Sequence, residues 1–284
     1  MFDRAAVVGV GLLGASLGMA LRKWGLCRHV TGVGRNPETL VRARERGAVD
    51  DFDTRLEAVL PIDLVVLATP AAAISGYLHT LCRYTSAGHT MAITDVASTK
   101  AAICAEAARL WPVSRPFVGA HPIAGGEKWG PDWADADLYH NAVCFLESPA
   151  GDMDPAVHER VRALWEAVGS QVVEIDPVVH DRLLSRTSHL PHVAAAALAL
   201  VAAKAGADRR FIGNGFRDAT RIAAGRAEIW RDICLTNRDD ILSALREYRD
   251  IMDQFIEALG SGDGTRLELL FEEARAARRE VTGS

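Results

Sequence analysis

Over the first 175 residues, short apolar runs alternate with amphipathic stretches. Ala5-Ala6-Val7-Val8-Gly9-Val10 is the first run, β-branched at its centre. The residues from Ala15 to Leu21 carry the small and aliphatic side chains of a buried helix. His29–Val33 predicts a second strand, and Pro37–Arg46 a helix opened by proline. Ile62–Ala68 is nearly unbroken in its apolarity, as expected of a strand covered on both faces. A helix from Ala71, a strand over His89–Thr94 and a strand over Phe117–Ala120 follow. Val143–Glu147 and Gln171–Ile175 are expected to complete the same sheet, with a helix from Pro155 to Val168 between them. Strands alternating with helices predict an α/β fold with a doubly wound parallel sheet.

After Asp176 the period changes. Val178–Ala205 is helical in pattern, interrupted at Pro191. Gly215–Ala224, Ile229–Leu259 and Gly264–Arg279 also read as helices, with no convincing strand among them. Two domains are expected: residues 1–175, and an all-helical one over residues 176–284. The run from Val193 to Ala203 is so rich in Ala, Leu and Val that burial on most sides is expected, by pairing with a second copy of the chain.

The first strand passes into Gly9-Val10-Gly11-Leu12-Leu13-Gly14 and then into a helix. Strand, glycine turn and helix form the phosphate-binding opening of a dinucleotide fold, so the sheet is expected to be Rossmann-type. Gly9 allows the tight turn, Gly11 the approach of a pyrophosphate, and Gly14 the close packing of helix on strand. Leu12 and Leu13 supply the N–H groups of the helix start. Ligands in such sheets sit beyond the carboxyl ends of the strands, which places Thr69-Pro70, Ser98 and His121 on the same edge. About 20 residues beyond the glycines, an NAD-preferring fold carries Asp or Glu. Here that place holds Gly34-Arg35-Asn36. A carboxylate would repel a 2′-phosphate and Arg would hold one, so NADP is favoured over NAD.

Composition narrows the reading. The 284 residues carry a net charge of −5 with acids and bases mixed, which argues against a nucleic-acid partner. Five scattered cysteines without a CxxC suggest neither disulfides nor a thiolate zinc site, and fit a reducing cytoplasm. The N-terminus is the first strand, so no cleaved signal peptide is expected. The longest apolar run is too short to span a bilayer.

Four segments hold concentrated polar chemistry: Asp95–Lys100, His121–Gly126, Ser188–His192 and Gly215–Arg221, with Trp230 shortly after. A dehydrogenase needs a base near the hydroxyl whose carbon loses hydride, and His121 ends a strand at the ligand edge. His189 and His192 share a helical face, but no acidic or cysteine cluster joins them at metal-ligand spacing, so no metal is expected. Arg217 and Arg221 lie four apart among Phe216, Thr220 and Ile222. A guanidinium in a partly buried stretch needs an anionic partner, which an anionic substrate would supply.

The combination GVGLLGAS, DVASTK, HPIAGGEKWG, TSHLPH, GFRDATRIA and IWRDI resembles the prephenate/arogenate (cyclohexadienyl) dehydrogenase family of tyrosine biosynthesis. The match runs in the family's order from Val7 to about Leu259. The resemblance implies a Rossmann domain followed by a helical dimerisation domain, and oxidative decarboxylation of prephenate or arogenate. It also implies residue roles. His121 accepts the ring-hydroxyl proton, and Ser98 orients that histidine and the hydroxyl. Arg221 binds the substrate carboxylate, His192 is a second substrate-binding histidine with His189 beside it, Asp218 and Trp230 shape the pocket, and Arg217 is a further substrate contact. Glu127, Lys128 and Asp132 are placed to contact the side chain that distinguishes the two substrates. Gly34-Arg35 resembles the NADP-using members. With the chain ending at Ser284, neither a regulatory ACT domain nor a fused chorismate mutase is expected. Rival readings are a β-hydroxyacid dehydrogenase, which would rely on a helical lysine such as Lys204, and a non-catalytic NADPH sensor.

Overall fold

The computed structural model describes residues 1–85, 91–126 and 128–283; His89 and Thr90 of the expected fourth strand, and Glu127, lie outside the described residues. In chain order the first elements are β1 (Phe2–Val8), α1 (Leu12–Lys23), β2 (Cys27–Val33), α2 (Pro37–Glu45) and β3 (Asp51–Asp53). Then come β4 (Leu64–Leu67), α3 (Ala71–Thr85), β5 (Ala92–Asp95), α4 (Ala101–Leu110) and β6 (Phe117–Val118). The six strands pair in the order β3-β2-β1-β4-β5-β6, every pair parallel. The chain winds outward from β1 in one direction and from β4 in the other. Its direction therefore reverses between β1 and β4, where such sheets open a crevice for ligands.

Alternation along the strands builds two cores. Ala5 and Val7 of β1 with Leu64 and Val66 of β4 pack beneath Leu17 and Leu21 of α1. Ala6, Val8, Val65 and Leu67 face the other way, onto Ile74, Leu78 and Leu81 of α3 and Ile103 of α4. With both faces covered, β4 and β5 are buried along their whole length.

The expected completion of this sheet does not occur. β7 (Ala120–Pro122), β8 (Val143–Glu147) and β9 (Gln171–Ile175) form a separate three-stranded sheet, with α5 (Pro155–Ala167) crossing between β8 and β9. β7 runs antiparallel to β8, and β8 parallel to β9. The strand expected over Phe117–Ala120 is cut at Gly119, where the chain leaves one sheet for the other. A Cβ there would lie 2.6 Å from Cys104 Sγ, so a larger residue would have to displace that buried thiol. The N–H groups freed at the crossing find buried carboxylates: Gly119 donates to Glu147 Oε2 at 3.0 Å and Ala120 to Asp95 Oδ1 at 2.9 Å. Glu147 is paired with Arg115 and Asp95 with Lys100, so neither charge is buried alone.

The helical remainder comprises α6 (Pro177–Leu184), α7 (Leu190–Lys204), α8 (Asn214–Thr220), α9 (Ala227–Thr236), α10 (Arg238–Ser261) and α11 (Gly264–Thr282). Pro191 does not interrupt the expected first helix. It sits at the start of α7, and a wide π turn over Ser185–His189 joins α6 to α7 across it. Such a turn accommodates the missing N–H and the ring of proline. The helix expected over Ile229–Leu259 is broken at Asn237, which caps α9.

The chain divides into two compact units, residues 1–238 and 239–284. In the second, α11 turns back on α10 through Gly262, at φ 66°, and Asp263, whose carboxylate accepts from Arg266 N at 2.9 Å. Phe255 and Phe271 meet edge to face at 5.3 Å, while Ile256, Leu259 and Leu269 are left exposed. The expected burial of Val193–Ala203 also fails within one chain. Only Ala195 of α7 is buried, and Leu198, Leu200 and Val201 face solvent.

Candidate active site

The glycine turn is shaped by close approaches. Gly9 has φ 96°, and a Cβ on it would lie 2.5 Å from Ala68 O. A Cβ on Gly14 would lie 2.0 Å from Gly9 O, so the helix rests directly on the turn. Gly11 faces open space and begins α1 with no side chain capping its N–H groups. An anion has both room and donors there. Beside it, Thr69 Oγ1 is buried without a hydrogen-bond partner, and Pro70 follows in the loop before α3. This turn fits the pyrophosphate of a dinucleotide.

At the end of β2, Gly34 N donates to Asp53 O at 3.3 Å, and a Cβ on Gly34 would make only ordinary contact, 3.5 Å from Leu40 Cδ2. Arg35 is exposed. Asn36 spends its side-chain oxygen on α2, accepting from Glu38 N at 2.9 Å and Thr39 N at 3.2 Å.

The segment after β7 lies against the glycine turn. Gly125 faces Leu13 Cδ2, and Tyr139 donates its hydroxyl to Leu13 O at 2.6 Å. Arg42 of α2 pairs with Asp132 at 2.7 Å. Lys128 lies over the Trp133 ring.

His121 is on β7 and buried. Its Nδ1 is 2.9 Å from His180 Nε2, and His180 Nδ1 is 2.8 Å from Asp181 Oδ1. Asp181 in turn accepts from Lys100 N at 2.8 Å and Ala101 N at 2.9 Å, capping the start of α4. Burial, and then the charges of His180, Lys100 and His189, hold His121 well below the usual histidine range, so its ring is neutral near pH 7. Ser98 is half-buried in the loop between β5 and α4.

A second cluster surrounds Trp230. His192 stacks on it at 3.5 Å, and His189 meets it edge to face at 6.3 Å. His192 Nδ1 donates to Ser188 O at 2.9 Å, which leaves Nε2 as the free acceptor of a neutral ring. Asn237 Nδ2 donates to His189 Nδ1 at 3.2 Å, so His189 carries its proton on Nε2, a buried atom with no partner. Burial pushes His189 down to about 4. His192 is also lowered, by burial first and with a contribution from the charge of Arg221. The turn carrying Arg221 packs on α7, but Arg221 is itself exposed, as are Arg217 and Asp218 on α8, so the partial burial expected of these guanidinium groups does not occur within one chain. Among the described residues, no cluster of His, Cys, Asp and Glu is arranged to hold a metal.

Sequence reasoning passed over His180, Asp181 and Asn237, and took Lys100 only as the end of the Asp95–Lys100 segment. The signal available was a His-Asp pair just inside the helix that Asp176-Pro177 opens. Nothing local shows that these residues meet β7 and α4.

The prephenate dehydrogenase nucleotide-binding domain family matches residues 17–174, and the prephenate dehydrogenase dimerization domain family matches residues 176–273. The prephenate dehydrogenase of Bacillus subtilis is 32% identical over 98% of this chain and 76% of its own length. A crystal structure of the Aquifex aeolicus prephenate dehydrogenase, in complex with hydroxyphenyl propionate and NAD+, superposes with a TM-score of 0.88. It is 29% identical and covers 99% of each chain. The Synechocystis arogenate dehydrogenase structure gives 0.79 at 31% identity, covering 98% of this chain and 99% of that one. Fold, glycine turn and matched domains agree: the chain belongs to the prephenate dehydrogenase family of oxidoreductases.

Proposed function

We propose that the chain catalyses oxidative decarboxylation of prephenate, arogenate or both in tyrosine biosynthesis, in the cytoplasm, with NADP favoured over NAD. The observation that carries this reading is His121. It is a buried, neutral imidazole held through Nδ1, on the strand whose following loop lies against the glycine turn. Relatives named for prephenate and for arogenate support the substrate class.

In this reading, His121 Nε2 takes the ring-hydroxyl proton as hydride leaves the same carbon. Gly9, Gly11, Leu12, Leu13, Gly14, Thr69 and Pro70, with Gly34, Arg35 and Asn36 at the end of β2, would hold a nicotinamide dinucleotide, which would supply the hydride acceptor. Loss of CO2 from the opposite ring carbon makes the ring aromatic. Arg221 and His192 bind the substrate carboxylate beside His189 and Trp230. Ser98 orients the hydroxyl, and Arg217 and Asp218 are further substrate contacts. Residues 1–175 carry the cofactor, and residues 176–284 carry substrate contacts and dimerisation. The β-hydroxyacid rival fits poorly. Lys204 is exposed at the far end of α7 from His192, about 18 Å along a helix.

Reduction of NADP and of NAD in the presence of prephenate, and separately of arogenate, tests the activity. No turnover with either substrate would sink it. The exposed apolar residues of α7, α10 and α11 support a homodimer. Sedimentation is expected to show a dimer at micromolar concentration, and a monomer there would overturn that part of the reading. No described helix is long and apolar enough to cross a membrane.

A further inference from the structure

The structure assigns His180 and Asp181 a task the reaction scheme does not contain. We infer that they form a positioning chain, Asp181–His180–His121, which fixes the proton of His121 on Nδ1 and keeps Nε2 bare for the substrate hydroxyl. This rests on the reading of His121 as the base.

The directions of the hydrogen bonds follow from the anchor. Asp181 Oδ1 accepts from Lys100 N at 2.8 Å, and Oδ2 from Ala101 N at 2.9 Å. Both oxygens thus act as acceptors at the start of α4, where the helix also favours negative charge. His180 Nδ1, 2.8 Å from the same Oδ1, must therefore donate. With one proton on each ring, His180 Nε2 is bare and accepts from His121 Nδ1–H at 2.9 Å. The remaining nitrogen of His121 is then an unprotonated Nε2. Were Asp181 absent, His180 could turn its proton toward His121, and His121 Nε2 would carry a hydrogen when the hydroxyl arrived. A wrong tautomer of this kind is among the costliest defects of a histidine base.

The chain is rigid at every link. His180 is fully buried and Asp181 is 1% exposed. Asn237 donates to the backbone O of Asp181 at 2.8 Å, holding α6 where it meets α9. His180 also packs edge to face on Phe145 of β8, the strand paired with β7. When the hydroxyl O–H bond breaks and the proton joins Nε2, His121 becomes a cation whose Nδ1–H still donates to His180. No proton has to leave His121 for the chain to act. The titratable and charged groups around His121 include Lys100 ahead of α4, His180 and Asp181 on α6, His189 in the π turn, Asp95 on β5, which accepts from Ala120 N, and Cys144 on β8.

Two variants test this. His180→Leu removes the acceptor, while His180→Gln offers a carbonyl oxygen at similar reach. His180→Leu is expected to lower kcat on the order of 10²-fold or more, with KM for substrate and cofactor changed less than about threefold. His180→Gln should recover most of that loss. In a His121→Asn background, His180→Leu should cost little more. The inference is overturned by a His180→Leu enzyme within about threefold of wild-type kcat, or by equal losses in the Leu and Gln variants. An active His121→Asn enzyme would instead defeat the reading of His121 as the base, whatever His180 does.

Discussion

At the ends of β1 and β2 the ligand edge is made of backbone. Gly9, Gly11 and Gly14 clear the space, the start of α1 offers its N–H groups, and Arg35 reaches from an exposed position. At the ends of β5 and β7 it is made of buried side chains: Asp95, Lys100, His121, His180, Asp181 and, beyond them, His189 and Asn237. The first kind of site binds charge that arrives with the ligand, and its contacts are individually modest and screened by water. The second holds titratable groups in fixed protonation states before anything binds, at the expense of burying them. The two ends should therefore respond differently to substitution: the buried end through kcat and pH, the backbone end through cofactor preference.

The largest separation is expected from His121→Asn. Loss of the base should lower kcat by about 10²–10⁴-fold, with cofactor affinity nearly unchanged, since the glycine turn is untouched. Titration of cofactor binding alongside turnover checks this. A variant keeping more than about half the wild-type rate across neutral pH would show that His121 is not the base.

Next comes the pH dependence of stability, which the buried end alone should produce. His189 is 1% exposed and pushed by burial down to about 4. An unfolded histidine takes its proton near 6.5. Between those values the unfolded chain binds a proton that the folded chain refuses, so stability is lost as pH falls through the window. The whole effect is about 3 kcal/mol, of which about 2 kcal/mol is expected between pH 7 and pH 5. His121, lowered by its own burial, acts in the same direction. Urea unfolding at the two pH values, for wild type and His189→Leu, isolates the term. If both proteins lose the same stability, His189 is not the source.

These responses also mark what could be read from the chain. The backbone end was legible because its signal is local. Glycines at fixed spacing after an apolar run say what the turn does, and Gly34-Arg35 stands at a fixed offset from them. Of the buried end, the Asp95–Lys100 segment, His121 and the His189–His192 pair stood out. His180 and Asp181 sit some sixty residues from His121 in sequence, and their meeting depends on Gly119. That residue sends the chain from the parallel sheet into the smaller one, a departure no strand-period argument contains. The same crossing explains why β8 and β9 were expected in the wrong sheet. Their apolar patterns are those of strands, but pairing partners are set by Glu147 and Asp95, which catch the backbone N–H groups of Gly119 and Ala120. The face of α7 is a different case: its apolar composition was plain in the sequence, yet within a single chain only Ala195 of it is buried.

The smallest of the expected effects sharpens the backbone end. Gly34→Asp combined with Arg35→Leu should turn preference from NADP toward NAD. A Cβ at Gly34 meets Leu40 only at ordinary contact distance, 3.5 Å, so the new side chain can be housed without moving α2. The carboxylate would accept from the ribose hydroxyls of NAD and repel the 2′-phosphate of NADP. If Arg35 holds that phosphate as proposed, its removal forfeits a charge-assisted contact worth about 1.5–3 kcal/mol. Both changes act in one direction, so the ratio of kcat/KM values for NADP and NAD should move by more than about tenfold. Asn36→Ala serves as the comparison within the same loop. Its oxygen is committed to Glu38 N and Thr39 N, so its loss should lower stability by about 1 kcal/mol and leave that ratio nearly fixed. If the double variant left the ratio in place, Arg35 would be only a solvated side chain. If Asn36→Ala moved it as far as the double variant does, preference would reside in the position of α2 rather than in charge at the end of β2.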